Sequence, residues 1–437
     1  MPEIYLDGMV APYHNYGGLS EGNIASLKHQ NQISSPKEAA LQGIKKAKIV
    51  YSLGLHQGFF LPHERPIFEV LHNLGFKGSE KTVLNKISAK FPTLLNNLYS
   101  SSAMWAANAG TFSPSADCED NLAHITTASL TSMLHRSIES EFTHVQMQLI
   151  FGNLCQLHEP ITNLSYKGDE GAANHLRIAS SHDAPGFEIF VHGGSIFEKQ
   201  NIVQRQALEA SHAISSNHKL NYKRTFFIEQ SQKAIAAGSF HNDIVSLANE
   251  NVCLFHADAF SNPEEFKVIQ EQISQHIPEA VFIKIYNEEI SLGDIVGSYL
   301  LNSQLVTNPS SNEMCLILPR EVNEYSSVER WLEKLPDISP ISQIEYVDIK
   351  QSMMNGGGPA CLRFKAQLQQ EELLKINSRF LFDDKKFIAL ENLVDKFYRD
   401  SLSPKDLQDY SLIIETREFL QEITKLLNLG SIYSFQK

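Results

Sequence analysis

Short apolar runs and helical stretches alternate along the 437-residue chain. The runs GFEIFVHG (186–193), NVCLFHA (251–257), AVFIKIY (280–286), EMCLILP (313–319) and CLRFKAQL (361–368) are rich in β-branched or aromatic residues. Turn formers stand close to each, and this predicts strands. Helices are predicted in SSPKEAALQGIKKAKIVYSLG (34–54), where Ser34 or Ser35 can cap and Pro36 suits the first turn. Two more are QALEASHAISSNHKL (206–220) and LSPKDLQDYSLIIETREFLQEITKLLNLG (402–430), the second a Leu-rich stripe with Gly430 as its stop. Strands and helices mixed in this way predict an α/β or α+β fold. No fixed repeat is visible in the letters, and no linker marks a domain boundary. Length alone suggests about three domains.

Composition narrows the function classes. With 42% hydrophobic and 20% charged residues the chain is ordinary globular material. A net charge of −13 disfavours nucleic acid as a partner, because no basic cluster could neutralise phosphates. No apolar stretch approaches the roughly 18 residues of a membrane span. The N-terminus lacks the basic start and apolar core of a signal peptide, so the cytoplasm is the expected compartment. The five cysteines, Cys118, Cys155, Cys253, Cys315 and Cys361, are far apart and contain no CxxC pair. They read as reduced thiols, neither a disulfide framework nor a zinc site.

Four segments carry candidate chemistry. NGGGPACLRF (355–364) lacks the lysine and pattern of a phosphate loop. Its glycines permit close backbone approach at the mouth of a strand. Cys361 there reads either as a nucleophile beside exposed backbone N–H groups or as a core cysteine behind a glycine turn. GSFHND (238–243) places His241 beside Asn242 and Asp243, a setting for a general base or an ordinary hydrogen-bonded histidine. GDEGAANH (168–175) offers Glu170 to a cation, a histidine or a proton, or else a solvated turn capped by Asp169. No HExxH or similar spacing accompanies it, so no metal is expected. GGLSEGNIAS (17–26) is a loop of N–H groups and short hydroxyls that can wrap a small polar ligand. Cys361, His241 and Glu170 together supply a nucleophile, an acid–base group and a carboxylate, which only the fold could assemble.

Read in order, GGLSEGNIAS, LPHERP (61–66), MWAANAGTFSPSAD (104–117), HRSIE (135–139), GDEGAANH, FHND (240–243), LLNSQL (300–305), MNGGGPACLR (354–363) and LLNLGSIY (426–433) resemble the N-succinylarginine dihydrolase family from end to end. The resemblance implies an α/β pentein propeller of five ββαβ-type units around a central active site, with residues 1–437 forming one catalytic domain. It implies hydrolysis of N2-succinylarginine to N2-succinylornithine, two ammonia molecules and carbon dioxide in arginine catabolism. No cofactor or metal would be needed, and the molecule would be a homodimer.

Carried over residue by residue, Cys361 would attack the guanidinium carbon and form a covalent S-amidino intermediate. His241 would move protons, and Glu170 would position His241 or the guanidinium. The substrate site would comprise Gly17, Gly18, Leu19, Ser20, Glu21, Gly22, Asn23, Ile24, Ala25 and Ser26, with Asn108, His135, Arg136, Arg205, Asp243 and Asn355. Arg136 and Arg205 suit the two substrate carboxylates, since guanidinium forks bind carboxylates bidentately. Asp243 suits the cationic guanidinium. Arg205 lies in the short match QRQALEAS (204–211), and Ser434 stands where the family pattern has proline. The rival readings are a deiminase-like hydrolase releasing one ammonia and a non-catalytic pentein that only binds.

Overall fold

The computed structural model describes residues 3–162, 168–197 and 205–437. Gln204, the first residue of the match around Arg205, lies outside the described residues. Fifteen strands among the described residues form five separate sheets of three. Their ranges are β1 Glu3–Gly8, β2 His56–Phe60, β3 Gly110–Ser113, β4 Ala123–Thr127 and β5 Cys155–His158. They continue with β6 His175–Ile178, β7 Phe187–His192, β8 Thr225–Glu229, β9 Ser246–Asn249 and β10 Val252–His256. The last five are β11 Val281–Ile285, β12 Gln304–Thr307, β13 Met314–Pro319, β14 Ile341–Val347 and β15 Arg363–Gln367.

The sheets share one plan. A middle strand (β1, β4, β7, β10 or β13) pairs antiparallel with one neighbour and parallel with the other. Parallel neighbours need a crossover. Helices supply it, for example Pro36–Ser52 between β1 and β2 and Pro263–His276 between β10 and β11. The antiparallel partners β3, β6, β9, β12 and β15 are the inner strands. β15 approaches β3, β6 approaches β9 and β9 approaches β12, so the sheets ring a common centre. The ring closes because β15, from the end of the chain, pairs with β1 from its start. This is a pentein α/β propeller, and its fivefold repeat has no counterpart in the letters.

Burial explains why some strands were legible. The middle strands FEIFVH, VCLFH and MCLILP are almost wholly buried, as expected when both faces are covered. The inner strands β3, β6, β9 and β12 are four-residue pieces reading GTFS, HLRI, SLAN and QLVT, with no apolar run to announce them. Phe387, Leu390 and Val394 on helix Asp384–Phe397 join Phe59, Phe364 and Phe419 in the largest core. Each such side chain contributes about 1.5–3 kcal/mol by burial.

Several expected helix ends differ. The stretch 402–430 opens with a 3-10 turn, Pro404–Gln408, and the α-helix runs only over Tyr410–Leu426. Asp409 divides them because its carboxylate caps Ser411 N–H. The chain leaves the helix through Asn428 (φ 51°), before Gly430 is reached. At the other end of the sequence, Ser35 takes the cap position of helix Pro36–Ser52, but its side chain makes no capping bond. Ser34 Oγ donates instead to the His14 carbonyl at 2.7 Å. No described helix is long and apolar enough to cross a membrane.

Candidate active site

The repeat places the polar candidates at one mouth of the ring, where the chain enters each inner strand. Asn108, Asn302 and Cys361 stand two residues before β3, β12 and β15. Glu170 and His241 stand five residues before β6 and β9. Each of these side chains therefore occupies a comparable place in its own blade, and residues far apart in sequence converge.

Glu170 is the electrostatic hub. It is fully buried and hydrogen-bonded to His241 Nε2. Arg136 Nε donates to its Oε1 at 3.2 Å, and Arg205 Nη1 to its Oε2 at 3.4 Å. Burial alone would push the carboxyl up, but His241, Arg205 and Arg136 together hold it well below the usual carboxylate range. An ionised Glu170 accepts the Nε2–H of His241, leaving Nδ1 as the basic nitrogen. That Nδ1 is buried without a hydrogen-bond partner among the described residues. Glu170's own segment is pinned from behind. Asp169 Oδ1 accepts from Gly171 N at 3.0 Å and Gln206 Nε2 at 3.2 Å, while Glu170 N donates to Gln206 Oε1 at 2.9 Å.

Cys361 is also buried. Its Sγ lies 3.7 Å from Asp243 Oδ2 and 3.3 Å from Asn302 Oδ1. Burial first, and then the Asp243 carboxylate, push its thiol well above the ordinary value. Asp243 is itself pushed up by burial, against the pull of His241 and Arg363. The fold thus joins two pairs, Glu170–His241 and Asp243–Cys361, through the short turn His241–Asp243.

Two expectations about the glycine run change. Gly358 N–H donates to Asn302 Oδ1 at 2.8 Å while also bearing on the sulfur, and Ala360 N–H donates to the Asn302 carbonyl at 3.1 Å, so both amides are already engaged by Asn302. The room the glycines leave is also taken by the protein itself. A Cβ at Gly356 (φ +104°) would meet Asn23 at 2.2 Å, and one at Gly358 would meet Asn302 Oδ1 at 2.6 Å.

A polar crevice is lined by Gly17, Gly18, Leu19, Ser20, Asn23, Ser26, His135 and Asn355, the last of which precedes the glycine run. Asn23 Nδ2 donates to the Gly356 carbonyl at 3.0 Å, and Arg205 Nη2 to the Glu21 carbonyl at 2.5 Å. These bonds seat the N-terminal loop over the nucleophile's turn. Glu21, Gly22, Ile24 and Ala25 do not line the crevice; Gly22 faces Phe240, and Ile24 packs at Gly238. Arg136 donates to Glu139 as well as to Glu170. Arg136 and Arg205 therefore converge on one protein carboxylate. His135 is buried and kept neutral, its pKa pushed down to about 3 by burial and by Arg136. His135 Nε2, Asn108 Oδ1 and Asp243 Oδ1 are buried and unpartnered among the described residues.

The structure adds crevice residues that sequence reasoning did not assign, namely Asn15, Ser100, Ser101, Ser102 and Trp105. It also adds Glu139, Gln206 and Asn302 behind the site. Asn302 lies in LLNSQL, which was matched as a segment, but an asparagine in an apolar run carries no chemical signature of its own.

Five ββαβ blades around a common centre define a pentein fold. The fold matches the N-terminal domain of ArgZ, an arginine dihydrolase from cyanobacteria, with a TM-score of 0.52 at 12% identity, over 84% of this chain and 100% of that one. A family profile for succinylarginine dihydrolase matches residues 1–436. The N-succinylarginine dihydrolase of Shewanella piezotolerans is 43% identical, over 100% of this chain and 99% of that protein. That of Aeromonas hydrophila is 42% identical, again over 100% and 99%. The chain belongs to the succinylarginine dihydrolase family.

Proposed function

We propose that this protein hydrolyses N2-succinylarginine with two waters to N2-succinylornithine, two ammonia molecules and carbon dioxide, as a step in arginine catabolism. Family membership supports the substrate. The observation that carries the chemistry is the convergence of the Glu170–His241 and Asp243–Cys361 pairs at one mouth of the ring.

The substrate guanidinium sits against Asp243, whose free Oδ1 accepts its N–H groups. A cation beside the sulfur favours the thiolate, and the thiol proton passes to His241 Nδ1. Sγ attacks the guanidinium carbon, forming a C–S bond. The C–N bond then breaks as His241 returns the proton to the departing ammonia. This leaves an S-amidino intermediate. His241 next takes a proton from water, whose oxygen adds to the same carbon as the C–S bond breaks, giving a ureido species. A second attack by Sγ expels the other terminal nitrogen as ammonia and leaves an S-carbamoyl intermediate. A second water adds as the C–S bond breaks, and the resulting carbamate loses carbon dioxide as its C–N bond breaks, freeing the ornithine amine. Glu170 orients His241 and balances its charge. Arg205 can exchange the Glu21 carbonyl for a substrate carboxylate, with Asn108, His135, Asn355 and the 17–26 loop completing the pocket. Arg136 serves the pocket through Glu170. Residues 1–437 acting as one catalytic domain, in a cytoplasmic homodimer, belong to the same proposal and rest on the family resemblance.

Incubation with N2-succinylarginine and measurement of ammonia tests this reading. Two ammonia molecules per substrate are expected, and none with Cys361→Ser. An inert wild type, an equally active variant, or accumulation of a ureido product after one ammonia would overturn it.

A further inference from the structure

Asn302 belongs to none of the roles above, yet it touches the nucleophile more closely than any charged group does. It lies two residues before β12, the place Cys361 holds before β15. Its side chain is completely buried. Gly358 N–H donates to its Oδ1 at 2.8 Å, Ala360 N–H donates to its main-chain carbonyl at 3.1 Å, and its Nδ2 donates to the Asp243 carbonyl at 3.2 Å.

These partners fix the amide's orientation. A backbone N–H can only donate, so the oxygen must face Gly358. A backbone carbonyl can only accept, so the NH2 must face Asp243. The atom 3.3 Å from Sγ is therefore the carbonyl oxygen. That oxygen accepts an S–H and repels a thiolate.

We propose that Asn302 is a positioning residue for the nucleophile, holding Cys361 as an oriented thiol between two oxygens until a cationic substrate arrives. The inference rests on Cys361 being the nucleophile, and it extends that role to the resting state. The ionisable groups around the sulfur are Asp243 on the turn before β9, His241 on the same turn, Tyr299 at the end of helix Leu292–Ser298 and Arg363 at the start of β15. A change at position 302 reaches Asp243 through the Nδ2 bond to its carbonyl, and Asn302→Ala and Asn302→Asp lose that bond alike. A sulfur held neutral is protected from stray electrophiles, and activation is tied to a guanidinium cation binding at Asp243.

The test measures iodoacetamide modification of Cys361 at pH 8 by peptide mapping in three proteins. Asn302→Ala removes the facing oxygen, and Asn302→Asp keeps the acceptor for Gly358 but adds negative charge. The Ala variant should react at least about tenfold faster than the Asp variant, with the wild type between them. Loosening of the loop would speed both variants alike, so opposite directions cannot come from access. With N2-succinylarginine, Asn302→Ala should lower kcat roughly tenfold to a hundredfold and leave KM within about threefold. Equal alkylation rates in the two variants would overturn the proposal and reduce Asn302 to a loop support. So would an unchanged kcat in Asn302→Ala. The alkylation comparison needs no substrate, so it stands or falls separately from the assigned reaction.

Discussion

Replacing Glu170 by glutamine removes one negative charge from a buried site where His241, Arg136 and Arg205 all converge. The amide is nearly isosteric, so the change is electrostatic. An opposite charge about 4 Å away is worth about 4 kcal/mol at an effective dielectric constant of about 20. Proton transfer to His241 during the reaction develops charge beside Glu170, so the loss should fall on the chemical steps. Glu170→Gln should therefore lower kcat about a thousandfold with little change in KM. The assay is ammonia release under saturating N2-succinylarginine, alongside urea unfolding. The unfolding should show a loss of about 3–5 kcal/mol, because two buried arginines lose their shared carboxylate. The pH dependence gives an independent sign. Glu170's folded pKa lies below its ordinary 4.5, because His241, Arg205 and Arg136 outweigh burial. Its contribution is therefore present above about pH 4.5 and is lost as pH falls towards the folded value. The wild type should lose stability more steeply than the variant below that point. A kcat within tenfold of wild type, with two ammonia molecules still released, would refute the role given to Glu170.

Other consequences are simpler to read. Gly358→Ala forces a Cβ to 2.6 Å from Asn302 Oδ1; overpacking of this kind costs about 1–3 kcal/mol, and kcat should fall at least about tenfold as Cys361 shifts. Asn23→Ala deletes the 3.0 Å bond to the Gly356 carbonyl. At about 0.5–1.5 kcal/mol for one such bond, KM should rise roughly twofold to tenfold, and titration calorimetry with Cys361→Ser should show the same factor. Lys46→Met leaves Asp7 buried without its cation at 2.9 Å and with only Gln57 Nε2 at 3.2 Å, a loss of about 3–5 kcal/mol. Because burial already raises Asp7, that loss should be smaller at pH 5 than at pH 8 in urea unfolding. Equal losses at both pH values would mean that Asp7 is not left charged.

Side-chain chemistry and the apolar runs were legible in the amino-acid order. Three of the five middle strands, β7, β10 and β13, announced themselves because both faces are buried and every position is free to be apolar. Glu170, His241 and Cys361 could be singled out because each stands in a small, turn-rich segment with reactive neighbours. Helix Pro36–Ser52 followed from Pro36 in its first turn.

Tertiary structure alone decided what these pieces do to one another. Four of the five inner strands are four-residue pieces with no apolar run, so the fivefold repeat leaves no period in the sequence. That repeat sets Asn108, Asn302 and Cys361 at matching places, and Glu170 and His241 at another matching pair. It turns Arg136 and Arg205 onto Glu170, where a reading of residue types alone sends both to the substrate. It also gives the glycines before Cys361 to Asn23 and Asn302. Hydrogen bonds act over about 3–4 Å, and only the packing of the inner strands around one centre brings residues from different blades within that range.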